Sequence, residues 1–140
     1  MSGLAGLLAG RGVQGVYTWH AAFGADEVRR TVEHAGAMFG YVDGWTHQTK
    51  AEFLAEAAET LHFPDWFGQN LDAFADCLDD LDIVPVVLLW DGWGTLARAD
   101  REAFDLIVEI AAGRARTVTP PFSLLLRGAG PELDIPALDG

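Results

Sequence analysis

The stretch FPDWFGQNLDAFADCLDD, residues 63–80, carries the most informative pattern in the chain. Its second half has the period of an amphipathic helix, which we predict over residues 70–81. The apolar positions that share one side of this helix are Leu71, Phe74, Cys77, Leu78 and Leu81. The acidic positions on the other side are Asp72, Asp76, Asp79 and Asp80.

This cluster of like charge opposes helix stability. Asp76 has an aspartate four residues away on each side, and each such pair destabilises a helix by roughly 0.2–0.5 kcal/mol. Asp79 and Asp80 also lie near the helix C-terminus, where the helix dipole disfavours negative charge. Between residues 51 and 97 the sequence has ten acidic residues and no lysine or arginine. The pattern is consistent with a solvated acidic face or with a surface kept for a cationic partner.

The residues just before the helix favour the binding interpretation. Trp66 and Phe67 stand beside the acids, and aromatic side chains next to charge are typical of protein-binding surfaces. We expect Phe67, more than Trp66, to belong to the core. Cys77 lies among the apolar positions, so we predict a buried structural thiol and not a nucleophile.

Outward from this helix, strands alternate with helices. The predicted strands are 15–20, 37–44, 84–90 and 120–128, and the other main helices are 25–36, 50–61 and 99–116. Thr49 and Glu52 have the spacing of a capping box at the start of one helix. The run VPVVLLW lacks alternation, which indicates a strand covered on both faces. An α/β fold with a largely parallel sheet follows.

Composition excludes several function classes. The net charge of −12 repels nucleic acid and anionic lipid, so a basic protein is the expected partner. The single cysteine excludes an internal disulfide, and the start of the chain has no signal-peptide pattern; we predict a cytoplasmic protein.

The motifs of metal, cofactor and catalytic sites are also missing. The four histidines have no metal-ligand spacing, and the glycine pattern at residues 10–15 precedes a strand, whereas a dinucleotide site would follow one. The carboxylates are stacked along one helix and do not face each other across a cleft, as paired catalytic acids do. We therefore predict no metal, no cofactor and no enzymatic activity.

The segment beginning at residue 63 resembles the barstar family, intracellular inhibitors of secreted guanyl-specific ribonucleases. The positions that carry the resemblance are Pro64, Asp65, Trp66, Phe67, Gly68, Asn70, Leu71, Asp72, Ala73, Asp76, Cys77 and Leu78. Ala75 departs from the pattern because the minimal inhibitor has a large aromatic residue there. Asp79 and Asp80 also depart, since they stand where it has small neutral residues.

The resemblance implies a barstar-like α/β fold with a small parallel three-stranded sheet flanked by helices. The barstar-like domain would span 37–128, after an N-terminal β-α extension at 1–36. We expect the Gly-rich residues 1–14 to be loose and the tail 129–140 to be irregular. The extension would add a strand at a sheet edge or mediate dimerisation.

The resemblance also implies a function and a set of contacts. Family members plug the nuclease active site with this helix and its preceding loop, and their carboxylates replace substrate phosphates. By position, Asp76 would reach deepest into the nuclease. The full predicted partner-binding set is Trp66, Asn70, Asp72, Asp76, Asp79, Asp80 and Glu109. The alternative is an acidic interaction module of the same fold with a non-nuclease partner, and an enzyme that uses the carboxylates ranks third.

Overall fold

A parallel sheet forms the centre of the molecule. The computed structural model describes residues 1–116 and 120–140. Its strands are β1 (Val16–Trp19), β2 (Met38–Asp43), β3 (Val86–Asp91), β4 (Phe122–Arg127) and β5 (Ala137–Leu138). Its helices are α1 (Ser2–Leu8), α2 (Ala25–His34), α3 (Lys50–Thr60), α4 (Leu71–Asp79), α5 (Gly94–Ala99) and α6 (Arg101–Ala115).

The strand order confirms the α/β class and corrects the predicted strand number. Within the described residues the sheet has five strands, not three, in the order β2-β3-β4-β1-β5, and every pairing is parallel. The first strand therefore pairs with β4 on one side and β5 on the other. The N-terminal segment adds β1 beside β4, the outer strand of the expected three-stranded sheet, but β5 then covers β1, so β1 is not itself the edge strand.

Both faces of the sheet are covered, as the unalternating run in β3 predicts. Val86, Leu88 and Trp90 belong to a buried cluster with α3, α4, α5 and α6. Val87 and Leu89 belong to a second cluster, on the side of α1 and α2. This second cluster includes residues from both 1–36 and 37–128, and residues 117–119 of the latter lie outside the described part. The three-part division of the chain stays a prediction.

The N-terminal segment and the tail are more ordered than we expected. In α1, Leu4 is fully buried and Leu7 nearly so, which means that residues 2–8 pack as part of the fold. Gly3 permits this packing, because a Cβ atom there would lie 2.6 Å from the backbone oxygen of Asp139. The tail that carries Asp139 forms β5, and Asp139 O accepts a hydrogen bond from Trp19 Nε1 at 3.2 Å.

The capping box predicted for α3 is present. Thr49 Oγ1 accepts the N–H of Glu52 at 3.1 Å. The Glu52 carboxylate accepts the N–H groups of Gln48 at 2.9 Å and of Thr49 at 3.2 Å. The hydrogen bond from Gln48, followed by those from Thr49, holds the pKa of Glu52 below its ordinary value.

This lowered pKa predicts a pH dependence. The stability that Glu52 contributes should be present above the ordinary pKa of a glutamate and lost as the pH falls through the lowered value. Urea unfolding at pH 7 should therefore show Glu52→Gln less stable than wild type, and at pH 3 the difference should shrink. Glu59→Gln is the control, since the Glu59 side chain makes no hydrogen bond within the described residues. A difference for Glu52→Gln that persists unchanged at pH 3 would contradict the assignment.

Candidate protein-binding site

The acidic helix α4 presents its carboxylates to solvent. It begins after Asn70, whose Oδ1 accepts the N–H of Ala73 at 2.8 Å and so caps the first turn. The apolar side faces inward as predicted, because Phe74, Cys77 and Leu78 are buried. The four aspartates of the other side are all exposed. Packing against the core therefore holds the carboxylates outward on a rigid element.

The loop before α4 is anchored by phenylalanines and presents a tryptophan. Phe63 and Phe67 pack edge to face with centroids 5.2 Å apart, and Phe63 also contacts Phe74 of the core. Phe67 is half-buried, whereas the Trp66 side chain is 62% exposed. The expected division between the two aromatics is confirmed. An exposed tryptophan on an anchored loop is a ready source of apolar contact area.

Four of the predicted residues line one open hollow of about 450 Å³, which we call the Asp76 hollow. Its complete lining is Lys50, Trp66, Asn70, Leu71, Asp72, Ala73 and Asp76. Within the part of the chain that the structure describes, the side chains of Asp72 and Asp76 make no hydrogen bond and no ion pair. Both carboxylates can therefore accept hydrogen bonds from a partner.

Glu109 of α6 lies beside this hollow but not in it. It lines a second open hollow of about 430 Å³, and Asp72 contributes to both. Arg116 and Leu106 also line the second hollow, and Leu106 is 39% exposed. The structure thus places Glu109 next to the Asp76 hollow through the shared Asp72.

The remaining two predicted residues lie apart from the others. Asp80 lines a separate, mostly apolar hollow that includes Leu61 and Ile83. Asp79 lines neither the Asp76 hollow nor the hollow of Glu109. Burial lowers the pKa of Arg114, and the charge of Asp79 partly offsets this lowering. The four aspartates share one helix face, but only Asp72 and Asp76 line the same hollow.

The surroundings of α4 contain cations that the local sequence does not reveal. Arg114 of α6 is only 3% exposed and binds the C-terminal end of α4. Its Nε donates to the backbone oxygen of Leu78 at 2.8 Å and its Nη2 to that of Leu81 at 2.9 Å. Burial lowers the pKa of Arg114, and Asp79 opposes this shift. The arginine thus satisfies carbonyls at a helix end where the aspartates are unfavourable.

Lys50 and Arg116 correct the expectation that no cation lies near the cluster. Each lines a hollow together with Asp72, but neither forms an ion pair with an aspartate of α4 among the described residues. The sequence contained a signal that Arg114 is buried, because Arg114 continues the helical spacing of the apolar residues Ile107 and Ala111 along α6. A cation on a buried stripe needs oxygen partners, which here are carbonyls.

The segment that carries this arrangement matches a known protein family. A family model described as Barstar (barnase inhibitor) matches residues 37–126. The chain belongs to the barstar family. The matched segment begins one residue before β2 and ends within β4. It therefore includes the residues of the Asp76 hollow and Glu109. The barstar family is named for an inhibitor of barnase.

Solved structures show that the fold also occurs in larger proteins. The Aeropyrum pernix ORC2 protein in its ADPNP–ADP complexes has a TM-score of 0.64 at 18% identity, over 91% of this chain and 38% of that one. Its ADP form has a TM-score of 0.62 at 16% identity, over 92% and 39%. Cdc6p from Pyrobaculum aerophilum has a TM-score of 0.50 at 18% identity, over 89% and 37%.

These likenesses concern the fold alone, because the identities are low. This barstar-family chain spans about two fifths of the length of each of those proteins. No curated protein shows significant sequence similarity to it.

Other chemistry in the described part of this barstar-family chain is limited. Cys77 is 2% exposed, and burial, with the charges of Asp80 and Asp76, raises the pKa of its thiol. A raised pKa keeps the thiol protonated and therefore unreactive. Among residues 1–116 and 120–140, no group of three or more His, Cys, Asp or Glu side chains is placed to hold a metal ion. None of the helices described there is long and apolar enough to cross a membrane.

Proposed function

We propose that this protein binds and blocks the active site of a basic ribonuclease through α4 and the loop before it. One observation carries the proposal: the carboxylates of Asp72 and Asp76, unpaired among the described residues, share an open hollow with the exposed Trp66. The hollow lies within the residues that match the barstar family. The protein itself performs no chemistry in this proposal.

The physical basis is the chemistry that any ribonuclease needs. Its active site must bind a polyanion, so it concentrates arginine, lysine and histidine side chains. Carboxylates held on a packed helix present charge at fixed positions, as phosphates of bound RNA do. Charge-assisted hydrogen bonds, bidentate ones to arginine above all, would be the strong contacts. The net charge of −12 would attract a basic enzyme from a distance.

Each predicted residue has a role that its position supports. Asp76 and Asp72 would accept hydrogen bonds from nuclease cations, and Trp66 would contribute apolar area. Asn70 uses its oxygen to cap α4, and its amide nitrogen donates to the backbone oxygen of Gly68 at 3.5 Å, so its second amide N–H is the group left to bind the partner. Glu109 would contact the nuclease at the side of the hollow.

Asp79 and Asp80 would act mainly through long-range attraction, because they lie outside the hollow. We place the complex in the cytoplasm, where such an inhibitor would protect its host from a secreted or toxin-type ribonuclease.

Affinity capture from the native host tests the proposal. Wild type, Asp76→Asn and the charge-matched control Glu132→Gln would each be immobilised and exposed to host lysate and culture medium. We expect a basic ribonuclease bound by wild type and by the control but not by Asp76→Asn. Wild type added to that enzyme should stop RNA cleavage competitively with substrate. If no bound protein that depends on Asp76 cleaves RNA, the proposal is wrong.

A second candidate is an acidic interaction module with a non-nuclease partner. It is favoured by the departures at Ala75, Asp79 and Asp80, which change the surface around the matched residues. The same capture separates the two functions. A partner that depends on Asp76, has no nuclease activity and binds stoichiometrically would support the module.

A further inference from the structure

The mostly apolar hollow that Asp80 lines lies at the C-terminal end of α4, away from the Asp76 hollow. It has a volume of about 380 Å³, and we call it the Ile83 groove. Its apolar lining comes from β2, the residue that follows α3, the segment after α4, and β3. These residues are Met38, Leu61, Leu81, Ile83, Val84 and Val86. None of these residues lines the Asp76 hollow. The groove is therefore a separate feature of the surface.

The groove exposes apolar surface that folding does not explain. Ile83 is 89% exposed, the most of any large hydrophobic residue in the described part of the chain. It stands beside an inner surface formed by Leu61 and Val86, which are almost fully buried. Isolated exposed apolar residues are common, but one at the mouth of an apolar hollow is typical of a docking surface.

The charges around the groove restrict what can occupy it. Asp80 and Asp82 line it, are exposed, and form no ion pair within the described residues. The remaining polar residue of the lining is His62. An apolar hollow with acidic neighbours complements an apolar side chain that has cationic neighbours.

We propose that the Ile83 groove binds a basic protein segment that places one large apolar side chain between arginine or lysine residues. The apolar side chain enters the groove, and the cations pair with Asp80 and Asp82. A second copy of this chain fits poorly, because a two-fold contact would bring these aspartates against their own copies. Anionic lipid is repelled by the same charges. The proposal uses residues other than those of the nuclease site and does not depend on it.

Three synthetic pentapeptides test this proposal at pH 8 and low ionic strength. They are Arg-Arg-Phe-Arg-Arg, Arg-Arg-Ser-Arg-Arg and Ala-Ala-Phe-Ala-Ala, each with blocked ends, titrated while the methyl NMR signals of the protein are followed. We expect the first peptide to shift the methyl signals of Ile83 and Val84 saturably. It should bind at least about tenfold tighter than either of the others, because they lack the apolar anchor or the cations.

Matched variants locate the binding. Ile83→Ser should reduce the affinity for the phenylalanine peptide to that of the serine peptide. Val13→Ser should leave it unchanged, because Val13 is a similarly exposed apolar residue, at 80%, elsewhere on the surface. The double variant Asp80→Asn and Asp82→Asn should weaken both arginine peptides several-fold. All four side chains are exposed, so the variants should fold.

Three results would overturn the proposal. The arginine peptides could bind equally well, in which case the groove takes no apolar side chain. The alanine-flanked phenylalanine peptide could bind as tightly as the arginine-flanked phenylalanine peptide, in which case Asp80 and Asp82 do not select a basic segment. Sedimentation could show a wild-type dimer that Ile83→Ser dissociates, in which case a second copy fills the groove. Asp76→Ala should not change peptide binding, so a failure here is distinct from a failure of the nuclease proposal.

Discussion

Replacement of Asp76 by alanine is expected to weaken binding of the partner ribonuclease by roughly 3–5 kcal/mol, or about two to four orders of magnitude. The carboxylate makes no hydrogen bond within the described residues, so its full bonding capacity is available to the partner. Once the complex forms, the nuclease cations around it would be excluded from water. Removal of the carboxylate would leave them buried without a counter-charge, which is the costly outcome.

Titration calorimetry and dissociation rates with the captured nuclease measure this effect. Asp79→Ala is the matched control, since Asp79 lies on the same exposed helix face but outside the hollow. We expect it to weaken binding by less than about 1 kcal/mol, as for other exposed charges. Asp76→Ala should dissociate much faster with a nearly unchanged thermal midpoint. Equal losses from the two variants would contradict the role of the hollow.

Replacement of Arg114 by methionine is expected to destabilise the fold by roughly 3–5 kcal/mol. The change removes the arginine donors from the backbone oxygens of Leu78 and Leu81, and also from that of Pro120, which Nη1 binds at 3.0 Å. Leu78 O keeps the N–H of Leu81 at 3.2 Å. It also removes the guanidinium from over the Phe122 ring, 5.7 Å from the centroid. Methionine fills similar volume, so the loss would come mainly from hydrogen bonds.

Urea unfolding monitored by tryptophan fluorescence measures the destabilisation. Arg30→Ala is the control, because Arg30 is exposed and its side chain makes no contact of this kind within the described residues. It should change the unfolding free energy by no more than about 0.5 kcal/mol. If Arg114→Met unfolds within about 1 kcal/mol of wild type, water replaces the arginine and α4 does not depend on it. If Arg114→Met is too unstable to purify, Arg114→Lys would be measured instead. Its free energy of unfolding should lie between those of wild type and Arg114→Met.

The elements that were predictable from sequence are those whose signal is local. The period of the apolar residues in α4 placed Phe74, Cys77 and Leu78 inside, and the structure buries all three. The capping box at Thr49 is a three-residue pattern and was present as predicted. The resemblance around Trp66 to Leu78 identified the family, because it rests on residues close together in the chain.

The elements that were missed depend on contacts between distant parts of the chain. The glycines of the first segment indicated looseness, but Gly3 is small so that α1 can approach Asp139. Strand β5 has two residues, too few for any pattern, and exists because β1 offers it a partner. Likewise, Arg114 is distant in sequence from α4, so the charge balance of the helix could not be read from its own residues.

Because β1 lies between β4 and β5, both strands that it pairs with in the described residues come much later in the chain. Val16 pairs with Leu124, and Thr18 pairs with Ala137. Strand β4 lies between β1 and β3. The N-terminal strand therefore cannot join the sheet formed by β2 and β3 until β4 has paired with β3. Completion of the sheet is therefore limited by long-range contacts, which are slow to form. Until β4 has formed, β1 therefore lacks the strand that links it to the rest of the sheet.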